Sequence, residues 1–203
     1  VALLRYGHEW HTEKVSDGFL FTFHDKEYHF PMPSLIGEHQ IRNAGAVLAL
    51  LLELHSDANI TKLKRAITNT QWRARLQKLE ALGQHVWLDG GHNDSAGCVL
   101  AEQARVWGKE DGKPLHLIVG MVNRKSPNAF LDPLLPHVAS ITCIPIPHSE
   151  MSFSAQELKD AIKNPCNIPI MTGDTFDGAL KNLDPHHRVL ITGSLYLSGA
   201  VLG

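Results

Sequence analysis

The segment "LDGGHNDSAG", residues 88–97, brings together several side chains that can bind a polar ligand. The preceding "HVWLDG" is apolar and predicts a buried strand that ends at Asp89. A carboxylate there can accept hydrogen bonds from a pair of ribose hydroxyls, and the two glycines let the backbone approach a ligand closely. His92 adds a further polar group. The same residue types also suit a turn whose Asp, Asn and Ser cap the next helix, so this segment alone leaves both interpretations open.

Two other polar positions could contribute to such a site. His39 and Asn43 are four residues apart and share one face of a predicted helix near its start. An asparagine amide can pair with both groups of an adenine edge, although a solvated polar face is the commoner explanation. Arg75 carries a planar guanidinium that can bind phosphate. A lone arginine is usually only a surface residue.

The first third of the chain predicts a β-hairpin followed by two helices. "FLFTFHDKEYHF", residues 19–30, alternates apolar and polar residues around a polar turn. Residues 37–54 and the shorter segment 60–67 show apolar residues at helical spacing. A change of pattern near residues 71–75 indicates a domain boundary. The predicted buried face of the longer helix comprises Ile41, Ala44, Val47, Leu48, Leu51 and Leu52.

After that boundary, strands and helices alternate along the chain. This rhythm predicts an α/β domain with a mostly parallel sheet and right-handed crossovers. Two helix starts are marked by local signals: Ser126 is a predicted N-cap followed by Pro127, and Ser154 forms a predicted capping box with Glu157.

Ligands of open α/β sheets bind beyond the carboxyl ends of the strands. Three segments are predicted to lie there: the loop that begins at Asp89, "GMVNRKS" after the second strand, and "TGS" after the last strand. The sequence therefore predicts the functional site at this edge of the sheet.

Composition excludes several classes of protein. The 203 residues are 43% hydrophobic and 20% charged with a net charge of -2, which favours an ordinary cytoplasmic globular protein and gives no sign of a nucleic-acid partner. No apolar run reaches the roughly 18 residues needed to span a membrane. Cys98, Cys143 and Cys166 are widely spaced and form no CxxC pair, so neither a disulfide nor a metal site is expected. The chain begins with Val1 rather than Met, which suggests a fragment of a longer protein.

Four motifs, taken in order, resemble those of the folylpolyglutamate synthase and dihydrofolate synthase family, relatives of the Mur ligases. "LIGEHQIRNAGAVLALL" is similar to the family's L-x-G-x-H-Q-x-x-N-A helix, and "WRARLQ" to its W-x-G-R-L-(Q/E). "VWLDGGHNDSAG" is similar to its L-D-G-A-H-N, and "TGSLYLSGAV" to its T-G-S-L-Y-L. Together they span nearly the whole chain, which makes the resemblance far more specific than any single motif.

The resemblance implies an ATP-dependent amide ligase. In this family ATP phosphorylates the carboxylate of a folate or dihydropteroate, and the amino group of L-glutamate then attacks the acyl phosphate. Carried over residue by residue, it implies that Asn43 binds adenine, Arg75 the terminal phosphate and Asp89 the ribose, with His92 and Ser194 toward the glutamate. Arg75 and His92 would be the catalytic residues.

The resemblance also implies how the chain is organised. Residues 1–70 would be the tail of a Mur-ligase-type central ATPase domain, a β-hairpin plus helices. Residues 71–203 would form the complete Rossmann-like C-terminal domain. Ala74 and Gly91 replace a glycine and an alanine of the family pattern, and "GMVNRKS" lacks an Asp-Lys-Asp that often follows the second strand.

The chain has no phosphate-binding G-x-x-G-K-(S/T) loop. The expectation is therefore a C-terminal half that is inactive alone, whose parent is a monomer using ATP and Mg²⁺, with the metal ligands in the other half. A non-catalytic nucleotide-binding or regulatory module stays open as an alternative. A nicotinamide-dependent dehydrogenase is disfavoured because no G-x-G-x-x-G follows any predicted strand.

Overall fold

The computed structural model of the protein describes residues 3–83 and 85–203. The chain divides into two compact units, Val1–Trp72 and Arg73–Gly203, and each has a hydrophobic core of its own. The division lies two residues after the predicted boundary. In the described part of the chain, every helix is too short or too polar to cross a membrane.

The first unit is a three-stranded antiparallel sheet with two helices. Its strands pair in sequence order, and the predicted hairpin is formed by the second and third of them. The first strand was not predicted. The elements are β1 (Trp10–Val15), β2 (Gly18–Phe23), β3 (Lys26–Phe30), α1 (His39–Leu54) and α2 (Ile60–Asn69).

Helix α1 packs closely against the sheet of the first unit. A Cβ on Gly45 would lie 2.4 Å from Thr12 Cγ2 and 2.8 Å from the Trp10 ring, so only glycine allows this approach. The buried face is centred on Gly45 and includes Ile41, whereas Val47 is 57% exposed. The prediction that Val47 is buried was therefore wrong. Apolar residues surround most of the helix, and spacing alone did not identify the side that meets the sheet.

The second unit is an α/β fold around a six-stranded sheet, as predicted. The strand order is β4-β5-β9-β6-β7-β8, and among the described strands of this sheet only the β4–β5 pair is antiparallel. The strands are β4 (Gln77–Lys78), β5 (Val86–Leu88), β6 (Leu115–Val119), β7 (Ser140–Cys143), β8 (Ile170–Thr172) and β9 (Arg188–Thr192). The helices are α3 (Asp94–Asp111), α4 (Pro127–Leu131), α5 (Ala155–Ala161), α6 (Phe176–Lys181) and α7 (Leu195–Leu202).

Local sequence signals set the helix starts of this unit. The Ser126 hydroxyl accepts a hydrogen bond from the Ala129 amide, with Pro127 in the first helical turn. Ser154 and Glu157 form the reciprocal capping box that their spacing predicts. Both predicted caps are confirmed. Helix α4 ends at Leu131, because Pro133 cannot donate the backbone hydrogen bond that would continue it.

A pair of histidines joins three segments at the amino edge of the same sheet. The rings of His116 and His187 stack with centroids 4.8 Å apart, and His116 Nε2 lies 2.9 Å from His187 Nδ1. The other nitrogen of His116 is hydrogen-bonded to the Ser140 hydroxyl. Burial, and then the neighbouring His187, lower the pKa of His116 below its ordinary value, while Asp184 opposes the shift. The arrangement therefore favours the neutral form of His116.

We expect this pair to make the stability of the second unit depend on pH. Because folding lowers the pKa of His116, the unfolded chain binds more protons there as the pH falls. The stabilisation is complete above the ordinary histidine pKa of about 6.5 and is lost as the pH falls through the lower pKa of the folded state. His116→Gln should flatten the fall in unfolding free energy as the pH is lowered below about 6.5, measured by urea unfolding. The exposed control His137→Gln should leave that slope unchanged, and equal slopes in both variants would refute the assignment.

Close contact between two helices depends on Gly97 in α3. A Cβ at this position would lie 2.1 Å from the backbone carbonyl oxygen of Phe130 in α4. Gly108 lies in the same helix, and a Cβ there would have no heavy atom within 4 Å. The two glycines thus lie in the same helix but differ in whether there is room for a Cβ.

Gly97→Ala should lower the free energy of unfolding by about 2 kcal/mol, because overpacking against backbone costs about 1–3 kcal/mol or more. That loss exceeds the gain in helix propensity of up to about 1 kcal/mol. Gly108→Ala should instead raise it by up to about 1 kcal/mol. Denaturant unfolding of both variants checks the prediction, and a stabilised Gly97→Ala variant would show that the helices can separate at little cost.

Candidate functional site

Three strand ends meet at the carboxyl edge of the second unit's sheet. Strands β5, β9 and β6 are neighbours, and a glycine lies within two residues of the end of each: Gly90, Gly193 and Gly120. The Gly193 amide donates to the Gly91 carbonyl at 3.0 Å, and the Gly120 amide to the Thr192 carbonyl at 3.2 Å. Gly193 has a φ of +107°, and a Cβ there would lie 2.7 Å from the Gly120 carbonyl oxygen. Glycine is therefore required where these segments touch.

Two helices begin directly after these strand ends. The Asn93 side chain caps α3 by accepting from the Ala96 amide at 2.9 Å. Ser194 caps α7 by accepting from the Tyr196 amide at 3.0 Å. Helix N-termini carry partial positive charge and free backbone amides. The loop after β5 is thus a capped turn, and its position at the carboxyl edge also suits an anionic ligand.

Arg75 lies on a tight turn with left-handed backbone on both sides. Ala74 has a φ of +56° and Leu76 a φ of +43°. Three hydrogen bonds hold the turn: the Ala74 amide donates to Gln77 Oε1 at 2.9 Å, the Gly90 amide to the Ala74 carbonyl at 2.9 Å, and the Leu76 amide to the Asp89 carboxylate at 2.9 Å. Leu76 is buried in the core and anchors the turn.

Asp89 is buried, with 7% of its surface exposed, and its two carboxylate oxygens serve different segments. One oxygen accepts from the Leu76 amide at 2.9 Å and the other from the Gly91 amide at 2.7 Å. The amides belong to the residues directly after Arg75 and directly before His92. One side chain therefore connects the two segments that carry these candidate residues.

His92 and Ser194 are both tied to the local backbone. His92 Nδ1 lies 3.2 Å from the Gly90 carbonyl oxygen. Because a carbonyl only accepts, Nδ1 carries the hydrogen in this contact, which leaves Nε2 for other partners. Ser194 is 3% exposed, and its hydroxyl oxygen is engaged as the helix cap. A hydroxyl group has one hydrogen and two lone pairs, so this cap uses one of the two accepting positions of Ser194.

Asn43 lies in the first unit, exposed on helix α1. Its side-chain amide donates to Gln40 Oε1 at 3.1 Å, and Gln40 Nε2 lies 2.9 Å from His39 Nε2. Gln40 is buried and orients Asn43. Within residues 3–83 and 85–203, the second amide hydrogen and the carbonyl oxygen of Asn43 have no hydrogen-bond partner, and they are the donor and acceptor pair that an adenine edge requires.

The described residues limit the chemistry that the chain can supply. Among them, no group of three or more His, Cys, Asp and Glu side chains could hold a metal ion. Burial raises the pKa of the Cys143 thiol to about 12, so this cysteine is a core residue and not a nucleophile.

The structure brings four of the five predicted site residues to one region of the second unit. The Arg75 turn, Asp89, His92 and Ser194 are connected through the backbone of residues 89–91 and 192–194. Sequence reasoning missed Gln40 and Gln77, whose side chains fix the segments of Asn43 and Arg75. Their spacing of three residues from the groups they bond could have indicated both.

Comparison with known proteins identifies a related family and several similar structures. The sequence model described as "Dihydrofolate synthetase, C-terminal domain" matches residues 71–203. No curated protein matches the chain at the significance required.

Three solved structures have the same fold over almost the whole chain. E. coli FolC in complex with DHPP and ADP is 20% identical with a TM-score of 0.82, over 98% of this chain and 46% of that one. A Mycobacterium tuberculosis folylpolyglutamate synthase complexed with ADP and AMPPCP is 20% identical with a TM-score of 0.76, over 98% and 48%. A bifunctional Yersinia pestis folylpolyglutamate synthase/dihydrofolate synthase with AMPPNP and Mn is 17% identical with a TM-score of 0.78, over 98% and 46%. The chain thus spans about half the length of these proteins.

Proposed function

The chain belongs to the family of dihydrofolate synthetase C-terminal domains, and from this premise we propose that it forms the C-terminal part of an ATP-dependent ligase. That ligase joins L-glutamate to a folate or dihydropteroate through an acyl phosphate. The similar structures support this proposal, since they are complexes with ADP, ATP analogues and DHPP.

The observation that carries the proposal is the way in which Arg75 is held. Its turn is fixed on both sides by hydrogen bonds to the loop after β5 and to Gln77. Within residues 3–83 and 85–203, the Arg75 guanidinium has no hydrogen-bond or ion-pair partner. A cation presented on a strained and anchored turn is suited to an anionic ligand such as phosphate.

The other roles follow from the resemblance. Asn43 pairs with adenine, Asp89 lies at the ribose, and His92 and Ser194 lie toward the incoming glutamate. The remaining amide hydrogen and carbonyl oxygen of Asn43, and the Nδ1 hydrogen bond of His92 that leaves its Nε2 for another partner, support two of these assignments. Cytoplasmic location and a monomeric state also stay predictions.

Phosphoryl transfer depends mainly on positioning and on neutralising charge, which a guanidinium supplies. The proposal follows the resemblance in placing the Mg²⁺ ligands, like the phosphate-binding loop, in other sequence. On this proposal the chain alone contributes recognition of ATP and of glutamate but does not complete the reaction.

We predict that the chain binds ATP and that Arg75→Ala weakens this binding by about tenfold or more, because a charge-assisted contact to phosphate contributes about 1.5–3 kcal/mol. Adenosine lacks the phosphates, so its affinity should not change. Calorimetric titration of both ligands measures the difference. The control Arg105→Ala removes an arginine that pairs with Glu102 on the exposed side of α3 and should bind ATP like the wild type. Undiminished ATP binding by Arg75→Ala would refute the assignment.

Glutamate addition tests the second part of the proposal. Incubated with ATP, labelled L-glutamate and either dihydropteroate or tetrahydrofolate, the 203-residue chain should give no labelled product above background. Turnover by this chain alone would contradict its description as an incomplete ligase.

A further inference from the structure

Three polar side chains at the start of helix α1 form one continuous series of hydrogen bonds. The Asn43 amide donates to Gln40 Oε1 at 3.1 Å, and Gln40 Nε2 lies 2.9 Å from His39 Nε2. Gln40, in the middle, is 7% exposed, whereas Asn43 is exposed. We infer that Gln40 is a positioning residue that fixes the orientation of the Asn43 amide, and that this orientation makes the site prefer 6-aminopurine over 6-oxopurine nucleotides. The inference rests on the proposed function for the contact of Asn43 with the base.

The hydrogen bonds of this series all run in one direction. Because an amide NH₂ group only donates, His39 Nε2 accepts the hydrogen bond from Gln40. The Gln40 carbonyl oxygen is then directed to Asn43, and a carbonyl oxygen only accepts, so Asn43 must donate with its NH₂ group. Turning the Asn43 amide over would place its carbonyl oxygen against Gln40 Oε1, with no hydrogen between the two acceptors. Gln40 therefore stabilises one of the two orientations of the Asn43 amide.

Close packing holds the His39 end of the series. Gly37 has a φ of +113°, and a Cβ there would lie 2.5 Å from His39 Cε1 and 2.7 Å from His39 Nδ1. The imidazole ring thus lies directly beside the backbone of residue 37, in space that a side chain would fill. The backbone amide of Gln40 also donates to the Gly37 carbonyl at 3.0 Å. The groups that fix Asn43 are therefore themselves closely held.

The fixed orientation matters because purine bases differ at the edge that an amide contacts. Adenine offers a donor, its 6-amino group, beside an accepting ring nitrogen, whereas guanine and hypoxanthine offer two acceptors, the 6-oxo group and the same ring nitrogen. With one amide hydrogen committed to Gln40, Asn43 has one hydrogen and one carbonyl oxygen for the base. That pair matches adenine but places an acceptor of Asn43 against an acceptor of a 6-oxopurine. Released from Gln40, the Asn43 amide could turn and donate both hydrogens to the two acceptors, so its preference for adenine would be weaker.

NMR relaxation tests the first part of the inference without any ligand. The ¹⁵N order parameter of the Asn43 side-chain amide should exceed about 0.6 in the wild type and fall below it in Gln40→Met, because methionine fills similar space but accepts hydrogen bonds only weakly. Gln40→Glu keeps an accepting oxygen for Asn43, so the order parameter should stay near the wild-type value. The control Gln156→Met changes a glutamine of α5 that bonds Asp160 and should have no effect. A mobile Asn43 amide in the wild type, or an unchanged order parameter in Gln40→Met, would overturn the inference.

Titration with ATP and with ITP, which carries hypoxanthine, tests the second part. The wild type should bind ATP more tightly, and the ratio of the ITP to the ATP dissociation constant should fall by about fivefold in Gln40→Met, as expected for the loss of one hydrogen bond. The ratio should change by less than about twofold in Gln40→Glu and in Gln156→Met, and Gln40→Met should also change it by less than about twofold in an Asn43→Ala background. Equal affinities of the wild type for both nucleotides, an unchanged ratio in Gln40→Met, or an equal fall without Asn43 would overturn the inference. If the wild type binds neither nucleotide, the proposed function fails at this step, and the order parameters alone decide the role of Gln40.

Discussion

The insertion of the last strand, β9, between β5 and β6 is the constraint on which the second unit depends. Leu88 pairs with Ile191, and Val119 pairs with Thr192, so the register aligns the ends of all three strands. The Gly91 carbonyl and the Thr192 hydroxyl meet although they are 101 residues apart in sequence. Closing such a long loop costs entropy. All five residues of β9 are buried, and that burial offsets the cost.

This pairing also determines where polar chemistry can occur. The sheet is covered on both faces by hydrophobic clusters, so polar groups are concentrated where the strands end. At the carboxyl edge, the backbone segments approach so closely that only glycine fits at Gly193. Side chains that remain there, such as Asp89, must satisfy backbone amides before they can serve a ligand. The candidate site is thus a product of the packing of the sheet as much as of its individual residues.

The sequence predicted the elements of this fold better than their arrangement. Capping at Ser126 and Ser154 involves neighbours within three residues, so local spacing was enough. The position of β9 and the exposure of Val47 depend on contacts with residues far along the chain, and no local pattern contains them. For the candidate site, the resemblance supplied the residues. The hydrogen bonds of Asp89 to the backbone could not be predicted from the sequence. One of them joins it to the amide of Leu76, which is 13 residues away and has no polar side chain.

The Arg75 turn shows how a departure from the family pattern can be tolerated. The family has glycine where this chain has Ala74, and Ala74 has a φ of +56°. Left-handed backbone costs an alanine about 1–2 kcal/mol. Ala74 is 4% exposed and lies within a hydrophobic cluster, and burying one methyl group contributes about 0.8 kcal/mol. Alanine also loses less backbone entropy on folding than glycine, a difference of about 0.4–1 kcal/mol. These terms nearly cancel, so the shape that presents Arg75 persists without the glycine, and the substitution does not argue against a role for this arginine.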